Sequence, residues 1–168
     1  YNWSNGAAAV NAALYTGTVT GSGTLPFPPF LRVATNGYMY AFSANSVYKI
    51  DGTTAGGTAG TITANVLVLD AAYKITDAVD WRNMMFISVQ DATGSAFGQS
   101  ADTRRYANIC GVFVWDRVST QVGQRDFIPL YGVKYINRIY VAHDGKLRMI
   151  ATGADGYTQL REYNGSSF

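Results

Sequence analysis

Leu31-Arg-Val-Ala-Thr-Asn-Gly-Tyr-Met-Tyr-Ala-Phe42 returns imperfectly as Ile75-Thr-Asp-Ala-Val-Asp-Trp-Arg-Asn-Met-Met-Phe-Ile87 and again as Gly132-Val-Lys-Tyr-Ile-Asn-Arg-Ile-Tyr-Val-Ala142. Each copy reads as a short extended run, a basic or Asn/Gly turn, and an aromatic-rich run. A partner strand follows each: Val47-Tyr-Lys-Ile-Asp-Gly52, Val112-Phe-Val-Trp-Asp116 and Leu160-Arg-Glu-Tyr-Asn-Gly165. β-Branched and aromatic side chains suit a pleated surface, and Gly supplies the positive φ of tight turns. A period of roughly 45–55 residues built from short strands falls in the range of propeller blades.

Working outward, the unit predicts an all-β chain of about three four-stranded antiparallel blades, at 31–74, 75–131 and 132–168. Residues 1–30 become an extended or irregular lead-in, or the end of a preceding blade. Within the lead-in, Ala7 to Tyr15 has the only noticeable helical propensity, and Pro26, Pro28 and Pro29 fix an extended approach. Hairpins are expected at Ala44-Asn45 and at His143-Asp144-Gly145, the latter carrying the Asp-Gly signal. Asn65-Val-Leu-Val-Leu-Asp70 reads as a strand buried on both faces. Gln90 to Asn108 is a long polar loop of the kind that often carries function. Three blades are fewer than the four to eight that close a ring, so the expectation is a segment of a larger propeller. The start at Tyr1 and the similarity of Tyr1-Asn-Trp-Ser4 to Tyr163-Asn-Gly-Ser166 point the same way. A β-sandwich is the alternative, since it also uses many short strands with regularly spaced turns.

Composition bounds the function. Charged residues make up 14% of the 168, well under the roughly 25% of ordinary soluble domains, while Gly (18) and Tyr (12) are abundant. A formal net charge of +2 gives no electrostatic reason to expect nucleic acid or an anionic membrane. No apolar run approaches the roughly 18 residues of a spanning helix. Cys110 is the sole cysteine, so it has no internal disulfide partner and reads as a small core residue.

Catalytic signatures are scarce. His143 is the only histidine and precedes a turn, and no Gly-x-Ser-x-Gly elbow accompanies any serine. A glycosidase needs two carboxylates facing a sugar, and Asp77 and Asp80 are the nearest approach to a pair. Three residues apart, they point to opposite faces of a regular strand. Asp91 and Asp102 could offer oxygen atoms to calcium, but the EF-hand spacing is absent. Neither a metal site nor a cofactor is therefore expected. Binding contacts are expected instead from Arg104, Arg105 and Tyr106 in the long loop, and from Trp81 beside a turn. An aromatic next to arginine, Asp or Asn can stack on a sugar or face a neighbouring chain.

The repeats, as in Asn45-Ser-Val-Tyr-Lys-Ile-Asp-Gly52, Gly111-Val-Phe-Val-Trp-Asp116 and Arg161-Glu-Tyr-Asn-Gly-Ser166, resemble degenerate β-propeller blades of bacteriophage tail-associated and other virion structural proteins. They lack the Gly-His and Trp-Asp signature of WD40 repeats, apart from a single Trp115-Asp116, and the Ser-x-Asp-x-Gly-x-x-Trp box of sialidase-like propellers. That resemblance implies a non-enzymatic structural or interaction domain of a virion or other extracellular assembly. Its partners would be copies of itself or other structural proteins. The alternative is a carbohydrate-binding module for a cell-surface glycan.

Overall fold

The computed structural model describes residues 15–16, 30–52, 60–91 and 110–168. The first sheet is an antiparallel meander of β2 (Phe30–Val33), β3 (Met39–Ser43), β4 (Ser46–Asp51) and β5 (Gly60–Val68). The two-residue β1 (Tyr15–Thr16) adds to β5 in parallel. The middle sheet is β6 (Tyr73–Trp81), β7 (Met84–Asp91), β8 (Gly111–Trp115) and β9 (Phe127–Pro129), paired in that order. The third sheet is β10 (Val133–Val141), β11 (Leu147–Gly153) and β12 (Thr158–Glu162).

Turn chemistry fixes the hairpins. Trp81 pairs with Met84 across Arg82 and Asn83, whose φ values of 49° and 63° give the doubly left-handed geometry that matches strand twist. At the β10–β11 turn Gly145 takes φ 79°, and its N–H donates to the Ala142 carbonyl at 2.9 Å. At Gly111, a Cβ would lie 2.3 Å from the Phe127 ring, so only glycine lets β9 lie against β8.

The packing follows from strand alternation in the middle sheet. Met85, Ile87 and Val89 of β7, with Phe113 and Trp115 of β8, join Tyr40, Phe42, Val47 and Leu67 of the first sheet in one buried cluster. The alternate residues Met84, Phe86, Val112 and Val114 join Ile136, Ile139, Leu147 and Met149 of the third sheet in another. A strand has a side-chain period of two, so each face of the middle sheet covers a different neighbour. The outer face of the first sheet carries a smaller cluster around Ala41, Tyr48 and Ile50.

This arrangement overturns the propeller expectation. The three sheets are open, none closes or curls as a blade, and the middle sheet is layered between its neighbours in sandwich-like packing. The expected set of three four-stranded blades also fails by count, because the third sheet has three strands among the described residues. The repeat in the sequence encodes the antiparallel hairpin, which sandwiches and propellers share; how hairpins stack is set by face burial, which the repeat does not specify. The 65–70 run differs from expectation as well. β5 ends at Val68, which is 47% exposed beside buried Leu67, so it is solvated on one face. All of the Ala7–Tyr15 run but Tyr15, most of the 1–30 lead-in and most of the 90–108 loop lie outside the described residues.

Candidate functional site

The seam between the middle and third sheets changes character along its length. At one end Trp81 meets Phe86 and Tyr163 edge-on, at centroid distances of 5.7 and 5.8 Å. At the centre is Asp77. At the far end the residues facing the seam are polar: Gln90 and Thr76 from the middle sheet, Asn137 from the third.

Asp77 is buried and tied to all three sheets. Its carboxylate accepts hydrogen bonds from the Arg32 guanidinium of β2 and from the Ile139 backbone N–H of β10, the latter at 3.1 Å. Arg138 of β10 stands 3.5 Å away, and the Ala78 N–H donates to Oδ1 at 2.9 Å. Ser88 Oγ donates to the Asp77 backbone carbonyl at 3.0 Å and shares a 2.8 Å hydrogen bond with Thr76 Oγ1. The buried charge is thus balanced and hydrogen-bonded, as burial requires.

Beyond this node the strands stop matching, and a cleft of about 380 Å³ opens, lined by Thr76, Gln90, Tyr135, Ile136 and Asn137. Its walls are built from bulges. The β6–β7 register slips between Ile75 and Asp77, which leaves Thr76 as the extra residue. The β10–β11 register slips twice, between Val133 and Tyr135 and between Ile136 and Arg138. Tyr135 and Ile136 lie between those slips, and Asn137 is the extra residue of the second. A bulge bends its strand and re-aims a side chain, which is why bulges recur beside sites.

The cleft is uncharged, with a mostly apolar lining into which the polar groups of Thr76, Gln90 and Asn137 are set. Gln90 Oε1 is buried and has no hydrogen-bond partner among the described residues. Asn137 Nδ2 donates to Thr152 Oγ1 at 3.1 Å, which orients its carboxamide. Tyr135 is 39% exposed, with the Lys134 ammonium 5.9 Å from its ring centroid. Together these supply an unspent acceptor, an oriented amide and an accessible ring.

A larger groove, about 640 Å³, opens at the edge of the other seam, near Asp70, Tyr73, Gln121, Val122 and Phe127. Its aromatic side chains are already engaged with one another: Tyr73 stands edge-on to Phe113 at 5.2 Å, and Phe113 lies 4.7 Å from Phe127. Burial, then the charge of Asp70, raises the Tyr73 pKa, so its hydroxyl stays protonated.

Of the residues singled out in the sequence, Trp81 is half-buried. Its indole N–H donates to the Gly145 carbonyl at 2.8 Å, and the Arg82 guanidinium lies 4.4 Å from its ring. Trp81 thereby clips the middle sheet to the β10–β11 turn. Arg104, Arg105, Tyr106 and Asp102 lie outside the described residues. Asp77 and Asp80 do project to opposite faces: Asp77 is paired in register with Ser88, whereas Asp80 pairs with Met85 on the first-sheet side. Asp80 accepts from the Thr35 N–H and from Arg117 Nη1, the latter at 2.9 Å. His143 is exposed in its turn. Cys110 is buried, and burial pushes its thiol up to about 12. No group of three or more His, Cys, Asp or Glu placed to hold a metal exists among the described residues. None of the described helices is long and apolar enough to cross a membrane.

Sequence reasoning missed Gln90, Tyr135 and Asn137. The one available signal was a disturbed alternation in Val133-Lys-Tyr-Ile-Asn-Arg-Ile139, where apolar residues fall three apart instead of two. Comparisons with protein-family models, curated proteins and solved structures found no match, so the resemblance to bacteriophage structural propellers has no support from any relative and is withdrawn, as the propeller segment was on its sheet topology.

Proposed function

We propose that this domain is a non-catalytic carbohydrate-binding module, with its sugar site in the cleft between the middle and third sheets. The observation that carries the reading is Gln90 Oε1, a buried acceptor without a partner among the described residues, set in an uncharged cleft beside Tyr135. An unmet buried acceptor costs roughly 1–3 kcal/mol, which a ligand donor would recover. A sugar ring offers hydroxyl donors around its rim and a C–H face that stacks on an aromatic ring. Asn137 and Thr76 supply further donors and acceptors for neighbouring hydroxyls. The reading is non-catalytic because Asp77 and Asp80 are each held by arginine inside different seams, not facing one substrate. An extracellular location follows as part of the same proposal.

The test is binding of the purified chain to a printed panel of neutral and acidic oligosaccharides, followed by calorimetric titration of the best ligand. Tyr135→Ala and Gln90→Leu should each weaken binding at least tenfold while the thermal melt stays cooperative. No binding to any glycan, or binding that ignores both substitutions, would sink the reading.

A further inference from the structure

The third sheet has an edge that no described strand covers. β12 pairs with β11 in unbroken register from Thr158–Thr152 to Glu162–Arg148. The Tyr163 N–H donates to the Leu147 carbonyl at 2.9 Å, which fixes the phase of the antiparallel ladder. By alternation, Gln159 and Arg161 direct their backbone groups towards β11, and Thr158, Leu160 and Glu162 direct theirs to the open edge. Three N–H donors and three C=O acceptors are therefore presented in a regular row.

The other described edges are blunted. β6 and β10 are bulged, β9 carries Pro129, and on β2 the Arg32 guanidinium lies on the Leu31 carbonyl at 2.8 Å. β5, which β1 covers only at Gly60 and Thr61, bulges between Thr63 and Leu67, with Asn65 at φ 54°. Natural proteins protect edges with such devices. β12 has no proline, no lysine and no bulge, and its two charged side chains are engaged within the chain, Glu162 by Lys146 and Arg148 and Arg161 by Gln159 and the Tyr131 carbonyl. Leu160 at its centre is 66% exposed.

We infer that β12 is a docking edge for a second copy of this chain, paired antiparallel about Leu160. The segment Thr158-Gln-Leu-Arg-Glu162 is self-complementary in that register. Leu160 meets the partner's Leu160, Thr158 meets the partner's Glu162, and Gln159 meets the partner's Arg161, so no like charges are opposed. The register also matches the ladder phase. All three edge-facing residues fall opposite edge-facing residues, which completes six backbone hydrogen bonds. Leu160 already pairs with Ile150 on β11, so docking extends one apolar row across both sheets, from Ile150 to the partner's Ile150. The contact has twofold symmetry and closes on itself, giving a dimer and no fibre. A five-residue edge is small beside the roughly 1,200–2,000 Å² of stable interfaces, which sets the expected affinity at micromolar or weaker.

Sedimentation velocity of the purified chain over a concentration series tests this directly. The expected result is a concentration-dependent dimer. Leu160→Pro should abolish it, because the lost N–H faces the open edge and proline is tolerated there. Leu160→Lys gives the same loss by placing two ammonium groups at the dyad. Circular dichroism checks that each variant keeps the wild-type fold. A chain that stays monomeric to millimolar concentration overturns the inference, as does a dimer that both folded variants preserve; the edge would then be open to a strand of a different protein.

Discussion

The two seams of this molecule solve the same problem in opposite ways. Both place a carboxylate of β6 against arginine, but the seam between the first and middle sheets is closed over its pair. Asp80 and Arg117 have side chains only 5% and 8% exposed, and Tyr40 packs edge-on against Trp115 at 5.5 Å alongside them in the core. In the other seam Asp77 is as buried, yet its arginines Arg32 and Arg138 reach solvent, and the uncharged cleft begins beyond it. Each seam also holds unmet polar atoms. Among the described residues, in the closed seam they are Asp80 Oδ1 and Arg117 Nε, two halves of one ion pair; in the open seam it is Gln90 Oε1. An unmet pair in a closed seam is a cost of burying charge, whereas a single unmet acceptor facing a cleft is available to a ligand.

The largest effect should come from splitting the closed pair. Arg117→Met leaves Asp80 buried without its cation and should cost about 3–5 kcal/mol in urea unfolding. The double variant Asp80→Leu/Arg117→Met should recover much of that loss, since well-packed apolar groups often replace a buried ion pair at little cost. If the double variant is as unstable as the single, the pair is not merely tolerated, and the contrast between the seams fails.

Asp77→Asn applies the same question to the open seam. The new amide cannot accept from both Arg32 and the Ile139 N–H without turning its own N–H₂ towards a donor. The loss should be roughly 1.5–3 kcal/mol, the range for a hydrogen bond to a charged group. It should be smaller than for Arg117→Met, because Arg32 and Arg138 are exposed enough to be rehydrated. Equal losses in the two seams would mean that solvent access does not distinguish them.

How much of this was legible in the sequence depends on which scale is read. Hairpins were, because Asp144-Gly145 and the period-two runs around Val47 and Val112 are local signals. The stacking of sheets was not: Met84-Met-Phe-Ile-Ser-Val89 looks like any buried strand until two different neighbours are found on its two faces. The opposed directions of Asp77 and Asp80 were legible from spacing, but their arginine partners lie 45 and 37 residues away. The cleft was least visible of all, since it depends on bulges in β6 and β10, and a bulge is a mismatch between two strands. Sequence reasoning instead favoured Trp81, whose place next to a turn suggested exposure; its indole is spent on Gly145 and its neighbouring rings.

Gln90→Leu sharpens the comparison in the other direction. Removing a buried acceptor with no partner among the described residues should raise stability by about 1 kcal/mol while weakening glycan binding at least tenfold. The matching change in the closed seam does the opposite, since neither Asp80 nor Arg117 can be removed alone without loss. Denaturant midpoints of wild type and Gln90→Leu, measured without ligand, decide the point. A loss of stability would show that Gln90 is structural and would weaken the cleft as a site.

The smallest expected effect concerns the turn that carries Arg117 into the closed seam. Asp116 Oδ1 accepts from the Val118 and Ser119 N–H groups at 2.9 and 2.7 Å, and Oδ2 accepts from Ser119 Oγ at 2.7 Å. Those hydrogen bonds, the Ser119 hydroxyl first, lower the Asp116 pKa below the ordinary 3.8. Trp115 Nε1 donates to the Ser119 carbonyl at 2.7 Å, so the same turn positions the buried indole. A carboxylate with a depressed folded pKa stabilises the fold fully above its unfolded pKa, and that contribution disappears as pH falls through the folded value. Because Asp116 is exposed, screening limits the contribution to about 0.5 kcal/mol. Asp116→Ala should therefore lower the melting temperature slightly at neutral pH and leave it unchanged relative to wild type at pH values below the folded pKa. The indole should report the same transition, its fluorescence shifting on acidification in wild type but not in the variant. A pH-independent difference would place the effect of Asp116 in turn geometry alone, and the closed seam would then owe nothing to the ionisation of its supporting turn.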